Sequence, residues 1–182
     1  MQETGGALVV FEGRGDTAGR GDTAVGVRAV SVGTVRRIGP PLPFFVYGTL
    51  RPGESNYLRH LDGRTVREES ARWPGAVLYR GPGYPFALES PAEPESTVVG
   101  ELITCAPGEY GSVLSALDHL EGFIAPGHPG NLYERMVRSV RVADGTAVGA
   151  WVYVPAAPIA ARLREDGTPV PGGDWCTARA GG

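Results

Sequence analysis

The sequence predicts an α+β domain in which helices pack on a small mixed β-barrel or curled sheet. About five segments are patterned as strands and one as an amphipathic helix. Strands and helices do not alternate regularly along the chain, which argues against a doubly wound nucleotide-binding sheet. The 182 residues fit a single domain, and 42% apolar residues are enough for a buried core.

Residues 1–40 differ in composition from the rest of the chain. Small residues dominate, and the hexapeptide beginning at Gly13 is repeated at once from Gly19 (Gly-Arg-Gly-Asp-Thr-Ala). Large apolar side chains are too few to offset the entropy of ordering, although residues 25–35 alternate weakly in strand fashion. We expect a low-complexity, disordered leader over residues 1–40 and the folded domain over residues 41–182.

The first confident strand is Phe44–Tyr47, which follows a proline-rich stretch. A turn-rich loop, residues 48–53, comes next, and helical spacing of apolar residues then predicts a short helix over residues 54–61. Two further strands are predicted at residues 76–79 and 98–104. The Gly- and Pro-rich stretch between them, Gly81 to Pro94, is predicted to be a loop.

An amphipathic helix is predicted from about Glu109 to Leu120, because apolar residues recur there at helical spacing. Gly122 is well placed to end it. Residues 133–142 and 147–154 then alternate as strands, and the Asp-Gly pair between them is a strong hairpin signal. The segment after residue 155 is mixed, and its pattern assigns no element.

Composition excludes several partner classes. The net charge is −3, every one of the 17 basic residues is Arg, and no basic stripe is present, so we expect neither a nucleic-acid nor a membrane partner. Cys105 and Cys176 have no paired spacing, and the sequence contains neither a signal peptide nor a long apolar run. These features predict a cytoplasmic protein.

No phosphate loop, nucleophile elbow or zinc spacing is present, and the three histidines are too scattered to propose a metal site. Two features suggest chemistry. Gly48 lets the loop backbone approach a ligand, and loop amides outside strand pairing can face a carboxylate or an oxyanion. Glu121 ends a helix among apolar residues, which raises a carboxyl pKa as a general base requires. Asp118 is either a like-charge neighbour of Glu121 or a solvated surface residue.

These two features belong to a set of five short strings. In order along the chain, the strings are Val46-Tyr-Gly-Thr-Leu-Arg-Pro-Gly53, Tyr84-Pro-Phe-Ala-Leu88, Gly100-Glu-Leu102, Leu117-Asp-x-x-Glu-Gly122 and Tyr133-x-Arg135. The set resembles the gamma-glutamylcyclotransferase-like family. The resemblance covers residues 44–154, and a terminal Gly173-Asp-Trp175 resembles bacterial members.

Similarity to that family implies a small β-barrel with flanking helices. It also implies a cofactor-independent lyase that converts a γ-glutamyl amino acid or amine into 5-oxoproline and a free amine. Glu121 would be the catalytic acid/base, and Tyr133 either a hydroxyl close to it or a core tyrosine. The backbone of four loop residues would surround the γ-glutamyl group: Tyr47, Gly48, Thr49 and Leu50.

Two other functions are compatible with the sequence. A relative with the same fold can bind a small molecule without turning it over. The duplicated Arg14-Gly-Asp16 and Arg20-Gly-Asp22 are compatible with adhesion, although nothing in the sequence marks secretion. The binding relative would retain the pocket, and an intact Glu121 argues against simple decay. Taken alone, the loop after Phe44–Tyr47 is compatible with an ordinary strand-ending turn, and Glu121 with a solvent-exposed residue.

Overall fold

The computed structural model describes residues 41–180, which form a closed five-stranded barrel with helices packed on it. The strand order around the barrel is β1-β5-β2-β6-β7, and a parallel pair between β7 and β1 closes it. Strands β3 and β4 form a separate antiparallel pair. The elements are β1 Phe44–Val46, α1 Ser55–His60, β2 Thr65–Pro74, β3 Ala76–Arg80, β4 Pro85–Glu89, β5 Thr97–Cys105, α2 Tyr110–Leu120, β6 Tyr133–Val142, β7 Ala147–Pro155, α3 Ala157–Asp166 and α4 Trp175–Ala180, with a 3-10 turn at Pro171–Gly173.

The predicted fold class is confirmed, and so are most predicted elements. Helix α2 begins one residue later than expected and ends at Leu120. The β6–β7 hairpin turns at the Asp-Gly pair, where Gly145 has a φ of 87°, a conformation that favours glycine. The predicted leader and the repeated hexapeptide lie outside the described residues.

Sequence reasoning missed elements in three segments. The stretch from Gly81 to Pro94 contains strand β4, which pairs with β3 along its whole length. The ten-residue strand β2 was not predicted, and the unassigned final segment contains α3 and α4. Within the described residues there are therefore seven strands, not five, and α2 is one of four α-helices. None of these helices is long and apolar enough to cross a membrane.

Strand β1 separates two apolar cores. Phe44 and Val46 point to the side on which the helices pack and contact the core that contains Leu117. Phe45 and Tyr47 point to the opposite side, where residues from all five barrel strands meet. Because successive strand residues face opposite sides, burial on both faces explains why this segment is apolar throughout.

Gly100 permits β1 and β5 to approach closely. A Cβ atom at Gly100 would lie 2.2 Å from the carbonyl oxygen of Val46, far inside van der Waals contact. The obstructing atom belongs to the backbone, so no side-chain rotation relieves the clash. A glycine is therefore required in β5 where this strand lies beside the end of its antiparallel neighbour β1.

We expect Gly100→Ala to lower the free energy of unfolding by about 2 to 3 kcal/mol, because the strands must separate to admit the methyl group. Urea denaturation at constant pH measures this change. Gly111→Ala is the matched control, since a Cβ at this helical position meets nothing within 4 Å. The control should be neutral or stabilising by up to about 1 kcal/mol, and equal destabilisation by both substitutions would contradict the packing argument.

Candidate active site

A cavity of about 410 Å³ opens between β1, the end of α2 and the β3–β4 pair. Its size suits a small molecule, and its lining is mostly apolar with a few polar groups. All the site residues predicted from the sequence line this one cavity: Tyr47, Gly48, Thr49, Leu50, Glu121 and Tyr133.

Glu121 is held at the cavity wall by the way α2 ends. It is the C-cap residue, and Gly122 follows with a φ of 61°. The Gly122 amide donates to the carbonyl of His119, and the Phe123 amide donates to that of Asp118. This pair of hydrogen bonds is the Schellman motif, for which glycine is the favoured residue. The helix end therefore fixes the backbone position from which the Glu121 side chain enters the cavity.

The Glu121 carboxylate lies in an apolar environment. Burial raises its pKa from 4.5 to about 7. Within the described part of the chain, no side-chain or backbone donor forms a hydrogen bond with it. The carboxylate is therefore free to exchange a proton with a bound molecule near neutral pH.

Three tyrosines surround this carboxylate: Tyr47, Tyr133 and Tyr153. Burial, with the nearby charge of Glu121 as a further cause, raises the pKa of each hydroxyl above its ordinary value. All three therefore stay protonated at neutral pH. Tyr133 is buried and stacks on Phe86 with ring centroids 5.6 Å apart, so it is both a core residue and part of the cavity wall.

The loop after β1 is folded so that the carbonyl groups of Gly48 and Thr49 accept hydrogen bonds, while three amides of the same loop have no acceptor among the described residues. The Arg51 amide donates to the carbonyl of Gly48 at 3.0 Å, and the first amides of α1, from Asn56 and Tyr57, donate to the carbonyl of Thr49. Among the described residues, no acceptor pairs with the amides of Gly48, Thr49 and Leu50. A run of free amides at a cavity wall is suited to bind a carboxylate or a developing oxyanion.

Gly48 is required at its position by packing. A Cβ atom there would lie 2.8 Å from Cδ of Pro85 at the start of β4. The loop and the β3–β4 pair therefore touch at Gly48, and this contact brings Tyr84 and Pro85 to the cavity.

Arg51 joins the loop to β5 and to the segment before α4, because its guanidinium group binds one carboxylate in each. Its Nε and Nη2 atoms donate to Glu101 at 2.7 and 2.9 Å, and Nη1 donates to Asp174 at 2.6 Å. Asp174 also accepts the amide of Cys176 at 3.0 Å and so caps α4. Burial opposes ionisation of Asp174, yet the hydrogen bond and charge of Arg51 hold the pKa of its carboxyl below its usual value. These contacts explain three of the family strings together.

We expect Asp174→Asn to lower the free energy of unfolding by about 1 to 2 kcal/mol, a value between those of surface and buried ion pairs. The asparagine retains the helix cap but removes the charge opposite Arg51. Thermal and urea denaturation measure the loss. The control is Glu69→Gln, whose partner Arg67 is 68% exposed and which should cost at most about 0.5 kcal/mol. Equal effects at both positions would contradict a special role for the Arg51 anchor.

Both expectations for Asp118 were wrong: its carboxylate does not act as a like-charge neighbour of Glu121, and it is not a solvated surface residue. It accepts a hydrogen bond from the Tyr153 hydroxyl at 2.7 Å and forms an ion pair with Arg135 at 3.4 Å. The Tyr47 hydroxyl in turn donates to the backbone carbonyl of Tyr153 at 2.7 Å. Asp118 therefore helps to position Tyr153, which lines the cavity.

The lining also contains residues that the sequence did not single out as site residues, among them Asn56, Tyr84, Leu132 and Tyr153. Tyr84 belongs to a family string, but the pattern gave it no role. Asn56 is the second residue of α1 and donates to the Thr49 hydroxyl at 2.9 Å. Leu132 ends the Gly- and Pro-rich loop between Glu121 and Tyr133, which the sequence places where it could shape the amine side of a pocket. Tyr153 carries no local signal, because only the assembled barrel brings it to the cavity. Within residues 41–180, no three His, Cys, Asp or Glu side chains are grouped as a metal site.

The family model described as "Gamma-glutamyl cyclotransferase, AIG2-like" matches residues 44–177, which include the whole barrel and the cavity. The chain belongs to this family. The family resemblance stated from the sequence strings is thereby confirmed, and the matched range extends it through Asp174 and Trp175 of the final segment.

Two known proteins illustrate the similarity. The "Gamma-L-glutamyl-butirosin B gamma-glutamyl cyclotransferase" of Niallia circulans is 34% identical over 110 residues, which are 60% of this chain and 64% of that protein. The chain thus matches somewhat less than two thirds of that relative's length. The crystal structure of YkqA from Bacillus subtilis has a TM-score of 0.52 at 24% identity, over 74% of this chain and 39% of that one. This second likeness concerns the fold.

Proposed function

We propose that this family member is a cyclotransferase that converts a γ-glutamyl amide into 5-oxoproline and a free amine, with Glu121 as general acid/base. The observation that carries the proposal is the juxtaposition in one cavity of an unpaired carboxylate and the three free amides of Gly48–Leu50. One group is suited to move a proton, and the others are suited to bind negative charge. The reaction needs both.

The substrate contains its own nucleophile. In its neutral form, the α-amino nitrogen of the γ-glutamyl group attacks the γ-carbonyl carbon, so that a carbon–nitrogen bond forms and the carbonyl oxygen becomes an oxyanion. Glu121 accepts the proton that the attacking nitrogen loses. The oxyanion then collapses, the original amide bond breaks, and Glu121 returns the proton to the leaving nitrogen. The proton taken from one nitrogen thus reaches the other, and no co-reactant is consumed.

The protein supplies three effects to this reaction. It holds the glutamyl chain folded for five-membered ring closure, which is a proximity effect. Backbone amides of the loop stabilise the oxyanion, or hold the α-carboxylate of the same folded conformer. Burial gives the Glu121 carboxyl a pKa of about 7, close to the pH at which it must accept and donate a proton.

The test is a mass-spectrometric assay for 5-oxoproline. The purified protein is incubated with γ-glutamyl amino acids, γ-glutamyl amines and glutathione, and Glu121→Gln is run in parallel. Product that depends on Glu121 would support the proposal. Binding of these compounds without product, measured by calorimetry on the same folded sample, would overturn it in favour of a non-catalytic binding protein of the same fold.

A further inference from the structure

Part of the cavity opening is bordered by large apolar side chains. Tyr84 and Leu132 line the cavity and are also 41% and 57% exposed, so both side chains border its mouth. Leu120 lines the cavity as well and comes just before Glu121 in the chain. Large apolar side chains exposed together at the mouth of a cavity mark a surface that a ligand covers.

The lining offers no charged partner for the far end of a substrate. Glu121 is the one formally charged residue among the described residues that line the cavity, and the reaction requires it for proton transfer. The carboxylates nearest to it in the chain are engaged elsewhere. Asp118 is held by Tyr153 and Arg135, and Glu134 accepts hydrogen bonds from Asn131 and from the amide of Gly127.

Charge therefore distinguishes the possible leaving groups. A γ-glutamyl amino acid carries a second carboxylate on its leaving amine, and no Arg or His lines the described cavity to bind it. A γ-glutamyl diamine or polyamine carries an extra ammonium group, and apart from Glu121 no carboxylate lines the cavity in the described part of the chain to receive that group. Burying either charge against Tyr84 and Leu132 costs free energy, whereas burying a hydrocarbon chain there gains it.

We infer that the amine released by this site is a monoamine with an apolar body and no second charged group, and that Leu132 and Tyr84 determine this specificity. The inference rests on the proposed function. The bonds made and broken are those given above, since only the substituent on the leaving nitrogen is specified.

Three substrates of similar size test this specificity. They are the γ-glutamyl amides of isopentylamine, of leucine and of 1,5-diaminopentane, which leave a neutral chain, a chain with a carboxylate and a chain with an ammonium group. We expect kcat/KM for the isopentylamide to be at least ~10-fold higher than for either charged analogue, the range that a change within one apolar pocket produces. Equal or faster turnover of a charged analogue would overturn the inference and leave the proposed function standing. No 5-oxoproline from any of the three would overturn both.

A charge placed at the mouth tests the assignment to Leu132. Because this side chain is largely exposed, Leu132→Glu is compatible with folding, and the new carboxylate can receive an ammonium group. We expect the ratio of kcat/KM for the diamine to that for the isopentylamide to rise at least ~10-fold. The matched control is Val137→Glu, an exposed apolar residue of β6 outside the cavity lining, which should leave that ratio unchanged. An unchanged ratio in Leu132→Glu would exclude Leu132 as a specificity residue.

Discussion

Glu121→Gln is expected to lower kcat for 5-oxoproline formation at least ~100-fold, the lower end of the contribution of a general base. The substitution preserves the size of the side chain and removes its ability to accept a proton. The helix end that positions residue 121 depends on backbone hydrogen bonds of Gly122 and Phe123, so it should be unaffected. Steady-state kinetics with a γ-glutamyl amide measures the effect.

The control for this experiment is Glu95→Gln, which makes the same chemical change at an exposed glutamate outside the cavity lining. It should retain the wild-type rate. Circular dichroism and calorimetry should find both variants folded. A rate near that of wild type in a folded Glu121→Gln protein would contradict the role proposed for Glu121.

The parts of the fold that the sequence predicts well are those in which a local pattern and the tertiary environment agree. Helix α2 repeats apolar residues at helical spacing, and Val113 and Leu117 are the ones that become fully buried. The β6–β7 hairpin contains an Asp-Gly turn between two alternating segments. In both cases a short window contains all the information that the element needs.

Strand β2 escapes sequence-based prediction because its conformation is decided by its neighbours. Its sequence is rich in charged residues, including Glu, which is depleted in strands, and only Ala71 and Trp73 are buried. It is a strand because it pairs with β5 along its length and also with β6. Strand β4 escapes prediction for a different reason. Pro85 and the glycines before it are typical turn residues, although the first four residues of the strand are buried.

The candidate site shows the same division. The position of Glu121 can be predicted because the sequence shows where helix α2 ends. The role of Gly48 can be predicted because it belongs to the string from Val46 to Gly53. The anchor between Arg51 and Asp174 joins residues 123 positions apart, and the contact between Tyr153 and Asp118 depends on where β7 falls in the barrel. Contacts of this kind arise from the closed topology, and no short window of sequence contains them.

The same burial that raises the pKa of the Glu121 carboxyl makes its ionised form costly to the fold. The pKa of its carboxyl rises from 4.5 to about 7 on folding, so between these values the folded state binds more protons than the unfolded state. The free energy of unfolding therefore falls as pH rises through this window, and the loss is complete above the folded pKa. Below pH 4.5 both states are protonated, and Glu121 contributes no pH dependence.

We therefore expect Glu121→Gln to unfold like wild type near pH 4.5 and to be more stable above pH 8, by about 2 to 3 kcal/mol once residual solvent contact of the carboxylate is allowed for. Urea denaturation of both proteins from pH 4.5 to 8.5 measures the difference, and Glu95→Gln should track wild type throughout. If the difference does not grow with pH, Glu121 is ionised at little cost and its pKa is ordinary. The stability difference between the two proteins is expected to grow over the same pH range in which kcat rises. One carboxylate would then account for both the activity and the instability, as expected for a base that folding holds in an apolar cavity.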